Sequence, residues 1–450
     1  MNYRSIARTA AGLFILLAAA PVWAGVNFAG VFGDNMVLQC DLPVNVWGGG
    51  AAAGEKVTVT FAEQSKTAEA DKDGNWKVTL DKLAASDKGA ELKAISGDGA
   101  AVVKDVLVGE VWVGSGQSNM YLEMKSIWSK DRWTKFIGET DFPNIRLNNI
   151  RPNKGRGWQP CNRGSVATFS GCGFYFARNL HQELKVPVGI VVASVGGAFI
   201  EEWMPDGKHY GMIQPLTGMT IRGVIWYQGE ANAIERKDGM KYLDKHQKLI
   251  EAWRKAWGRP DLPFHFVQIV PCSVKLYRAE ELAKLWQAQR VTLAKVPNTG
   301  MAICTDLCSD GMANIHPRNK WDVGRRLALS ALHQAYGKKD LVYSGPLYKS
   351  MEIKGSEAVV SFDLCNSASL AIRPKSGEEL SWFEIAGADG KFVKAVAKIS
   401  PDGKSVIVSA PEVKEPANVR FGWDNAAVPN LTNKEGLPAS PFSTEKEYNP

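Results

Sequence analysis

Histidine is scarce in this chain, with 6 among 450 residues. Histidine is the side chain that most often serves as a general base near neutral pH, so the candidates are His181, His209, His246, His265, His316 and His333. The local patterns predict helices around His181, His246 and His333 and a strand around His265, where packing or surface roles are typical. His316, in a loop, is the stronger candidate of the remaining two, and His209, in a connector, is a weak rival.

The chain also lacks any block of like charge and any apolar run long enough to span a membrane. Arg4 and Arg8 precede a short apolar run at 10–20, and Ala24 offers a small residue for cleavage. This pattern predicts a signal peptide at 1–24 and an exported protein, periplasmic or secreted. The two arginines lost with it lower the formal charge from +7 to +5. An excess this small argues against a nucleic-acid partner, and no membrane partner is indicated.

Cysteine occurs seven times, an odd number that leaves at least one thiol unpaired. Export makes disulfides possible, and the spacing does not select a pairing. Cys304 and Cys308 have no second close cysteine or histidine pair, which argues against a zinc site. The sequence therefore indicates no metal or other cofactor.

Three segments of different pattern follow the leader. Residues 25–105 contain short β-branched or alternating runs separated by turns rich in Gly and Asp, which is typical of a small β-sandwich. Residues 106–336 alternate strands with helices, and this alternation predicts a mostly parallel sheet covered on both faces. Residues 337–450 return to short strands and predict a second β domain.

The central segment supplies most of the predicted elements. Strands are predicted at 145–147, 188–193, 223–227, 264–270 and 301–304, and helices at 173–184, 240–257, 279–295 and 321–336. In open α/β sheets, ligands bind outside the carboxyl ends of the strands. Strand endings that are polar or rich in glycine are therefore expected to meet on one rim.

One such ending lies in the stretch Glu110–Met120. A buried strand at Val111–Val113 runs into a turn flanked by glycines, and Ser118 lies where a helix begins. The unpaired N–H groups and positive dipole end of that helix lie beside the hydroxyl. An acyl-transfer nucleophile needs this setting, because negative charge develops on the attacked carbonyl. A serine at this junction also serves as an ordinary helix cap, so this stretch alone supports both interpretations.

Other rim endings offer partners for Ser118. Gly197 can supply a backbone N–H to an oxyanion and Gln228 a side-chain N–H, which with the N–H of Ser118 makes three donors. Loss of one such donor typically costs about 3 kcal/mol of transition-state stabilisation. Paired glycines are also common turns, and a strand-end glutamine often bonds a loop backbone. From its loop, the imidazole of His316 can take the proton from Ser118 and return it to a leaving alcohol.

Several blocks resemble, in the same order, those of the sialate O-acetylesterase family within the SGNH hydrolases. They are Gly116-Gln-Ser-Asn-Met120, the segment 169–203, Trp226-Tyr-Gln-Gly-Glu-Ala-Asn232, Ile315-His-Pro-Arg-Asn-Lys320 and the tail at 436–442. The resemblance covers essentially all of the mature chain. It implies a flavodoxin-like three-layer α/β/α SGNH hydrolase core with flanking N- and C-terminal β domains.

The resemblance also implies site roles and an activity. Ser118 corresponds to the nucleophile, His316 to the base, and Ser118, Gly197 and Gln228 to the oxyanion donors. The implied reaction is removal of O-acetyl groups from sugars such as acetylated sialic acid or acetylated xylan, without a metal.

One position departs from this family pattern. Relatives often carry an aspartate two or three residues before the histidine to orient the imidazole, whereas this chain has Asn314 and Ala313 there. The nearest acids are Asp306, at a strand end, and Asp310; a backbone carbonyl is a third alternative. We favour Asp306, because a strand end is a firmer platform than a loop.

The sequence thus predicts an exported serine esterase that deacetylates carbohydrates through an acyl-enzyme on Ser118. Its expected partner is an acetylated carbohydrate, and no protein partner is indicated. Because a misoriented imidazole costs orders of magnitude in rate, one alternative is a weak or inactive carbohydrate-binding protein on the same fold. A general serine esterase is the other, although no extended apolar lid segment is present.

Overall fold

The computed structural model describes residues 25–127, 140–151, 157–273, 278, 280–308, 314–373 and 379–449. The predicted signal peptide at 1–24 lies outside these residues. Within them, no helix combines the length and the apolar character that crossing a membrane requires.

The N-terminal region is made of strands, as its alternating pattern predicts. The strands are β1 (Asn27–Phe28), β2 (Val37–Gln39), β3 (Val44–Gly49), β4 (Lys56–Phe61), β5 (Gln64–Glu69), β6 (Trp76–Leu80), β7 (Ser86–Ser96) and β8 (Gly99–Gly116). β1, β3 and β6 form one sheet, whereas β4, β5 and β7 lead by antiparallel pairing into β8. Alternate residues of β4, Val57, Val59 and Phe61, are buried, as in a sheet with one face on the core.

Strand β8 is shared between the N-terminal and the central region. Its first half pairs with β7, and its second half, from Glu110 to Gly116, lies between the parallel central strands. The boundary expected at residue 105 falls inside this strand, where Asp105 has a φ of 53°. The two regions therefore share one continuous sheet.

The central strands run parallel over most of that sheet. They are β9 (Phe142–Ile150), β10 (Trp158–Cys161), β11 (Val188–Ser194), β12 (Gly223–Tyr227), β13 (Phe264–Gln268) and β14 (Thr299–Ile303). The strand order is β10-β9-β11-β8-β12-β13-β14, with only β10 antiparallel to its neighbour. Counted from β8, the parallel strands follow the order 2-3-1-4-5-6, which differs from the 2-1-3-4-5 order of flavodoxin.

Helices cover both faces of this sheet. They are α1 (Ser118–Tyr121), α2 (Met124–Ile127), α3 (Arg163–Ala167), α4 (Gly171–Leu184), α5 (Tyr242–Ala256), α6 (Glu281–Lys295) and α7 (Lys320–Gln334). Phe264 and Phe266 of β13 contact His246 of α5, whereas His265 between them is 2.9 Å from Ser330 of α7. Because successive side chains of a strand point to opposite faces, α5 and α7 lie on opposite sides. The chain is therefore a mixed α/β protein with a large central sheet.

The C-terminal region is again built of strands. They are β15 (Leu347–Lys354), β16 (Glu357–Asp363), β17 (Leu370–Ile372), β18 (Phe383–Ala386), β19 (Val393–Lys394), β20 (Val396–Ile399), β21 (Ser405–Ser409), β22 (Asn418–Phe421), β23 (Leu431–Asn433) and β24 (Phe442–Ser443). Their apolar residues form a separate core around Val360, Phe383 and Phe421. Gln268 at the end of β13 donates to Ser440 at 2.9 Å and thereby ties this region to the central sheet.

Candidate active site

Three neighbouring strands end together at the rim that carries Ser118. Gly116, the last residue of β8, pairs with Ser194 of β11 and with Tyr227 of β12. A Cβ at Gly116 would lie 2.1 Å from the carbonyl oxygen of Tyr227, so only glycine permits this approach. The sequence-based expectation that these endings share one rim is realised, and Ser118 follows directly at the start of α1.

The hydroxyl of Ser118 is bonded to the imidazole of His316. The distance from Oγ to Nε2 is 2.8 Å, although the two residues are 198 positions apart. The N-cap position of α1 is held by Gln117, whose side-chain oxygen instead accepts from the backbone N–H groups of Gly229 and Ala231. Ser118 is therefore not the N-cap of this helix.

The loop that carries His316 fixes the imidazole through its backbone. The Asn314 side-chain oxygen accepts from the backbone N–H of His316 at 2.8 Å. Among the residues that the structure describes, Nδ1 of His316 has no hydrogen-bond acceptor. Burial lowers the pKa of His316 below its usual 6.5, and the charge of Lys320 lowers it further. The imidazole is therefore neutral, and able to accept a proton, at neutral pH.

The backbone N–H groups of Ser118 and Gly197 are candidate donors to an oxyanion. Within the described residues, neither the N–H of Ser118 nor that of Gly197 has an acceptor. Gly197 has a φ of 72°, which favours glycine, and a Cβ there would meet nothing within 4 Å. A Cβ at the preceding Gly196 would lie 3.9 Å from Cβ of Ser118, so this loop borders the serine. The arrangement suits a site where negative charge develops on oxygen.

Gln228, expected from sequence as a third donor, is engaged elsewhere. Its Nε2 donates to Asn232 Oδ1 at 2.6 Å and to the carbonyl of Ala198 at 3.2 Å. Its Oε1 accepts from the hydroxyl of Tyr242 at 2.7 Å, which fixes the orientation of the amide. Both N–H bonds point at internal acceptors, so Gln228 supports the loop after Gly197 and offers no free donor in this arrangement.

Asp306, which the sequence analysis favoured as the orienting acid, is paired with arginines. Arg326 binds its two carboxylate oxygens at 2.5 and 2.8 Å, and Arg373 lies 3.2 Å from it. No hydrogen bond joins the Asp306 carboxylate to His316 among the described residues. Asp310 lies outside the described residues. β14 ends at Ile303, three residues before Asp306, and the carboxylate of Asp306 anchors the first turns of α7.

The other histidines are held away from this pair. His246 and His265 are fully buried, and burial lowers the pKa of each to about 3. His209, the weak rival, packs on Trp203 and lies 3.6 Å from Glu202. His316 is therefore the histidine that the fold brings to Ser118.

The sequence assigned no catalytic role to three residues of this site, Asn119, Glu230 and Lys320. All three are buried, and they form a hydrogen-bonded cluster directly behind Ser118. Burial lowers the pKa of Lys320 to about 8 and raises that of Glu230. The signal was their place within the blocks that resemble the family, since Asn119 follows the serine and Lys320 is the last residue of the histidine block.

One cluster resembles a metal site by distance only. Ligand atoms of Cys40, Asp41 and Glu110 lie within 4.8 Å of one another. Glu110 is already bound by Arg222 through two contacts, at 2.8 and 2.9 Å. This neutralisation removes the charge that a cation would need.

Comparison with known proteins identifies the family. A model of the carbohydrate esterases described as sialic acid-specific acetylesterases matches residues 108–333, which is half of the chain. The chain belongs to this family. The matched range begins in β8 and ends in α7, so it contains both Ser118 and His316.

Relatives of the sialic acid-specific acetylesterase family align well beyond that range. The mouse sialate O-acetylesterase is 28% identical over 448 residues, covering 78% of this chain and 81% of the mouse protein. The human sialate O-acetylesterase is 28% identical, covering 77% and 78%. The crystal structure of a carbohydrate acetylesterase from Xanthomonas citri matches with a TM-score of 0.85 and 35% identity, covering 94% of this chain and 100% of that one. The chain is a carbohydrate O-acetylesterase.

Proposed function

We propose that this chain is an exported serine esterase that removes O-acetyl groups from carbohydrates through an acetyl-enzyme on Ser118. The observation that carries the proposal is the 2.8 Å contact between Ser118 Oγ and His316 Nε2 on the rim of the sheet. A nucleophile and a base within hydrogen-bond reach are the minimum that covalent acyl transfer needs.

In the acylation step, His316 Nε2 takes the proton as Ser118 Oγ attacks the acetyl carbonyl carbon. The carbonyl oxygen becomes an oxyanion, which the N–H groups of Ser118 and Gly197 stabilise. The C–O bond to the sugar then breaks, and His316 returns its proton to the departing sugar oxygen. The sugar leaves as an alcohol, and acetyl remains on Ser118.

Deacetylation repeats these roles with water. His316 takes a proton from the water as its oxygen attacks the acetyl carbon, and the same two N–H groups stabilise the second oxyanion. The proton returns to Ser118 Oγ as acetate leaves. Because the pKa of His316 lies below 6.5, the base is available at neutral pH and binds the transferred proton only weakly.

The family and the predicted signal peptide support the substrate and the location that we propose. The mammalian relatives are sialate O-acetylesterases and the Xanthomonas relative is a carbohydrate acetylesterase. We infer acetylated sialic acid or an acetylated polysaccharide such as xylan as the substrate, and export directed by residues 1–24. Helices on both faces of a parallel sheet support the three-layer SGNH hydrolase arrangement, with strand order 2-3-1-4-5-6 in place of the flavodoxin order.

The test compares wild type with Ser118→Ala and His316→Ala. Each protein is incubated with an aryl acetate, acetylated sialic acid and acetylated xylan, and acetate is measured. We expect both variants to lose at least about a thousandfold in kcat and wild type to prefer one of the sugars. Equal acetate release by all three would support a non-catalytic binding protein. Activity on the aryl ester alone would support a general esterase.

A further inference from the structure

A single buried amide lies at the centre of the cluster behind Ser118. Asn119 is fully buried, and its Nδ2 donates to Glu230 Oε1 at 2.5 Å and to the carbonyl of Ile315 at 2.9 Å. Its Oδ1 accepts from Lys320 Nζ at 2.5 Å. Both N–H bonds and the carbonyl oxygen of this side chain are thus engaged.

The partners of Asn119 belong to segments far apart in sequence. Asn119 follows Ser118 in α1, Ile315 precedes His316, Lys320 begins α7, and Glu230 follows β12. The amide therefore joins the segment of the nucleophile to the loop of the base. This bond is 2.9 Å long and lies one residue away from each of the two reacting side chains.

The charges around Asn119 fix which way its amide points. A reversed amide would set its NH2 against the ammonium of Lys320 and its oxygen against the carboxylate of Glu230 and the Ile315 carbonyl. All three contacts would be unfavourable in a buried, weakly screened site. Lys320 is itself fully buried, with the Tyr227 ring 4.9 Å from its Nζ. Lys320, Glu230 and the Ile315 carbonyl thus hold one neutral amide in a single orientation.

We propose that Asn119 is a positioning residue, which holds the backbone of the His316 loop in register with Ser118, and that Lys320 and Glu230 set the orientation of its amide. This inference rests on the proposed function of Ser118 and His316. In this proposal, the hydrogen bond from Asn119 to the Ile315 carbonyl positions the imidazole of His316. In other serine esterases a carboxylate bonded to Nδ1 does this. A displacement of about 1 Å at a reacting group lowers rates by roughly a hundredfold.

The first test uses Asn119→Asp in the full chain. The aspartate keeps the shape and still accepts from Lys320, but it no longer donates to the Ile315 carbonyl. We expect kcat on an aryl acetate to fall by about a hundredfold while KM changes less than threefold. Asn433→Ala is the control, since Asn433 is equally buried and bridges the Ser344 carbonyl and the Leu437 N–H in the C-terminal region. It should lose thermal stability and keep kcat.

A double variant separates positioning from stability. In Asn119→Asp with Glu230→Gln, the new glutamine can donate to the new aspartate, so the bond between these positions is restored and one carboxylate still faces Lys320. The bond to Ile315 stays lost. We expect Tm to recover relative to the single variant while kcat remains low. Recovery of kcat together with Tm would overturn the positioning role, as would a single variant with kcat within threefold of wild type.

Lys320→Met supplies a readout that folding effects do not move. The charged or titratable groups facing Lys320 are Cys172 of α4, Glu230 and Cys304 after β14, together with His316 in its own segment. Removing the ammonium removes the repulsion that lowers the pKa of His316, so the acid limb of kcat/KM should move to higher pH.

An unmoved limb would contradict the inferred proximity of Lys320 and His316. If the Asn119 variants fail to fold, kcat of Lys320→Met on its alkaline plateau decides the question. An amide that is no longer held in one orientation should lower this kcat, and a plateau within threefold of wild type would overturn the positioning role. Activity that survives in Ser118→Ala would refute the proposed function itself. Activity lost in Ser118→Ala but kept in Asn119→Asp would refute only the positioning role.

Discussion

Asp306 gives a sharp test, because the sequence and the structure assign it different tasks. Its carboxylate and the guanidinium of Arg326 are nearly buried, with side-chain exposures of 10% and 7%, and they meet through two contacts at 2.5 and 2.8 Å. Asp306→Asn removes the negative charge and leaves Arg326 unpaired. Breaking a buried pair in this way costs about 3 to 5 kcal/mol.

The lower end of that range applies here, since Arg326 also donates to the Ile303 carbonyl at 2.6 Å and keeps that contact. A loss of about 3 kcal/mol corresponds to a fall in Tm of roughly 6 °C, at about 2 °C per kcal/mol for a large chain. Because the carboxylate does not touch His316, we expect kcat of the folded variant to fall by less than about tenfold.

The assay is a thermal melt followed by circular dichroism, with kcat on an aryl acetate measured well below the new Tm. Asp261→Asn is the matched control, because Asp261 faces Arg259 with 67% of its side chain exposed. Exposed pairs contribute less than about 1 kcal/mol, so its Tm should barely move. A thousandfold loss of kcat in Asp306→Asn at unchanged Tm would refute this reasoning and restore Asp306 as the acid that orients the imidazole.

Two further outcomes are expected. Burial and the nearby Lys320 hold the pKa of His316 below 6.5, and only the neutral imidazole accepts a proton. We therefore expect kcat/KM to reach half its plateau below pH 6.5 and to fall at lower pH. A midpoint above pH 7 would contradict this environment of His316. Gly197→Ala puts a side chain at a φ of 72°, which costs about 1 to 2 kcal/mol, and relaxation of the loop would withdraw the proposed oxyanion donor. We expect about a hundredfold loss of kcat with little change in KM, whereas Gly211→Ala, at an open position with φ outside the left-handed region, should keep kcat.

The architecture was largely predictable, because its signals are local. The strand at 223–227 and the helix that ends at Leu184 agree with the structure at those residues, and the helix expected at 321–336 begins one residue earlier and ends two earlier. Apolar runs between glycine-rich turns predict buried parallel strands. Because ligands bind at the carboxyl ends of such strands, Ser118 and the loop of His316 were expected on one rim. The periodicity did not show that β8 would continue through residue 105.

The errors concern side chains whose partners depend on packing. No pattern near Asp306 in the sequence predicts its ion pairs with Arg326, twenty residues later, and with Arg373. Gln228 directly follows β12, as expected, but its amide is hydrogen-bonded to Asn232 and Tyr242. A strand pattern fixes where a side chain begins, whereas its hydrogen-bond partners depend on helices that pack against it from elsewhere in the chain.

The departure at Asn314 has a chemical consequence for the proposed mechanism. A carboxylate on Nδ1 both orients the imidazole and stabilises the imidazolium that forms when the serine loses its proton. Within the described residues, the orientation can come from Asn314 and Asn119 through backbone contacts, but both side chains are neutral. The charge of Lys320 disfavours the imidazolium. The two tasks of such an acid are thus separable, and the residues that the structure describes supply orientation without charge stabilisation.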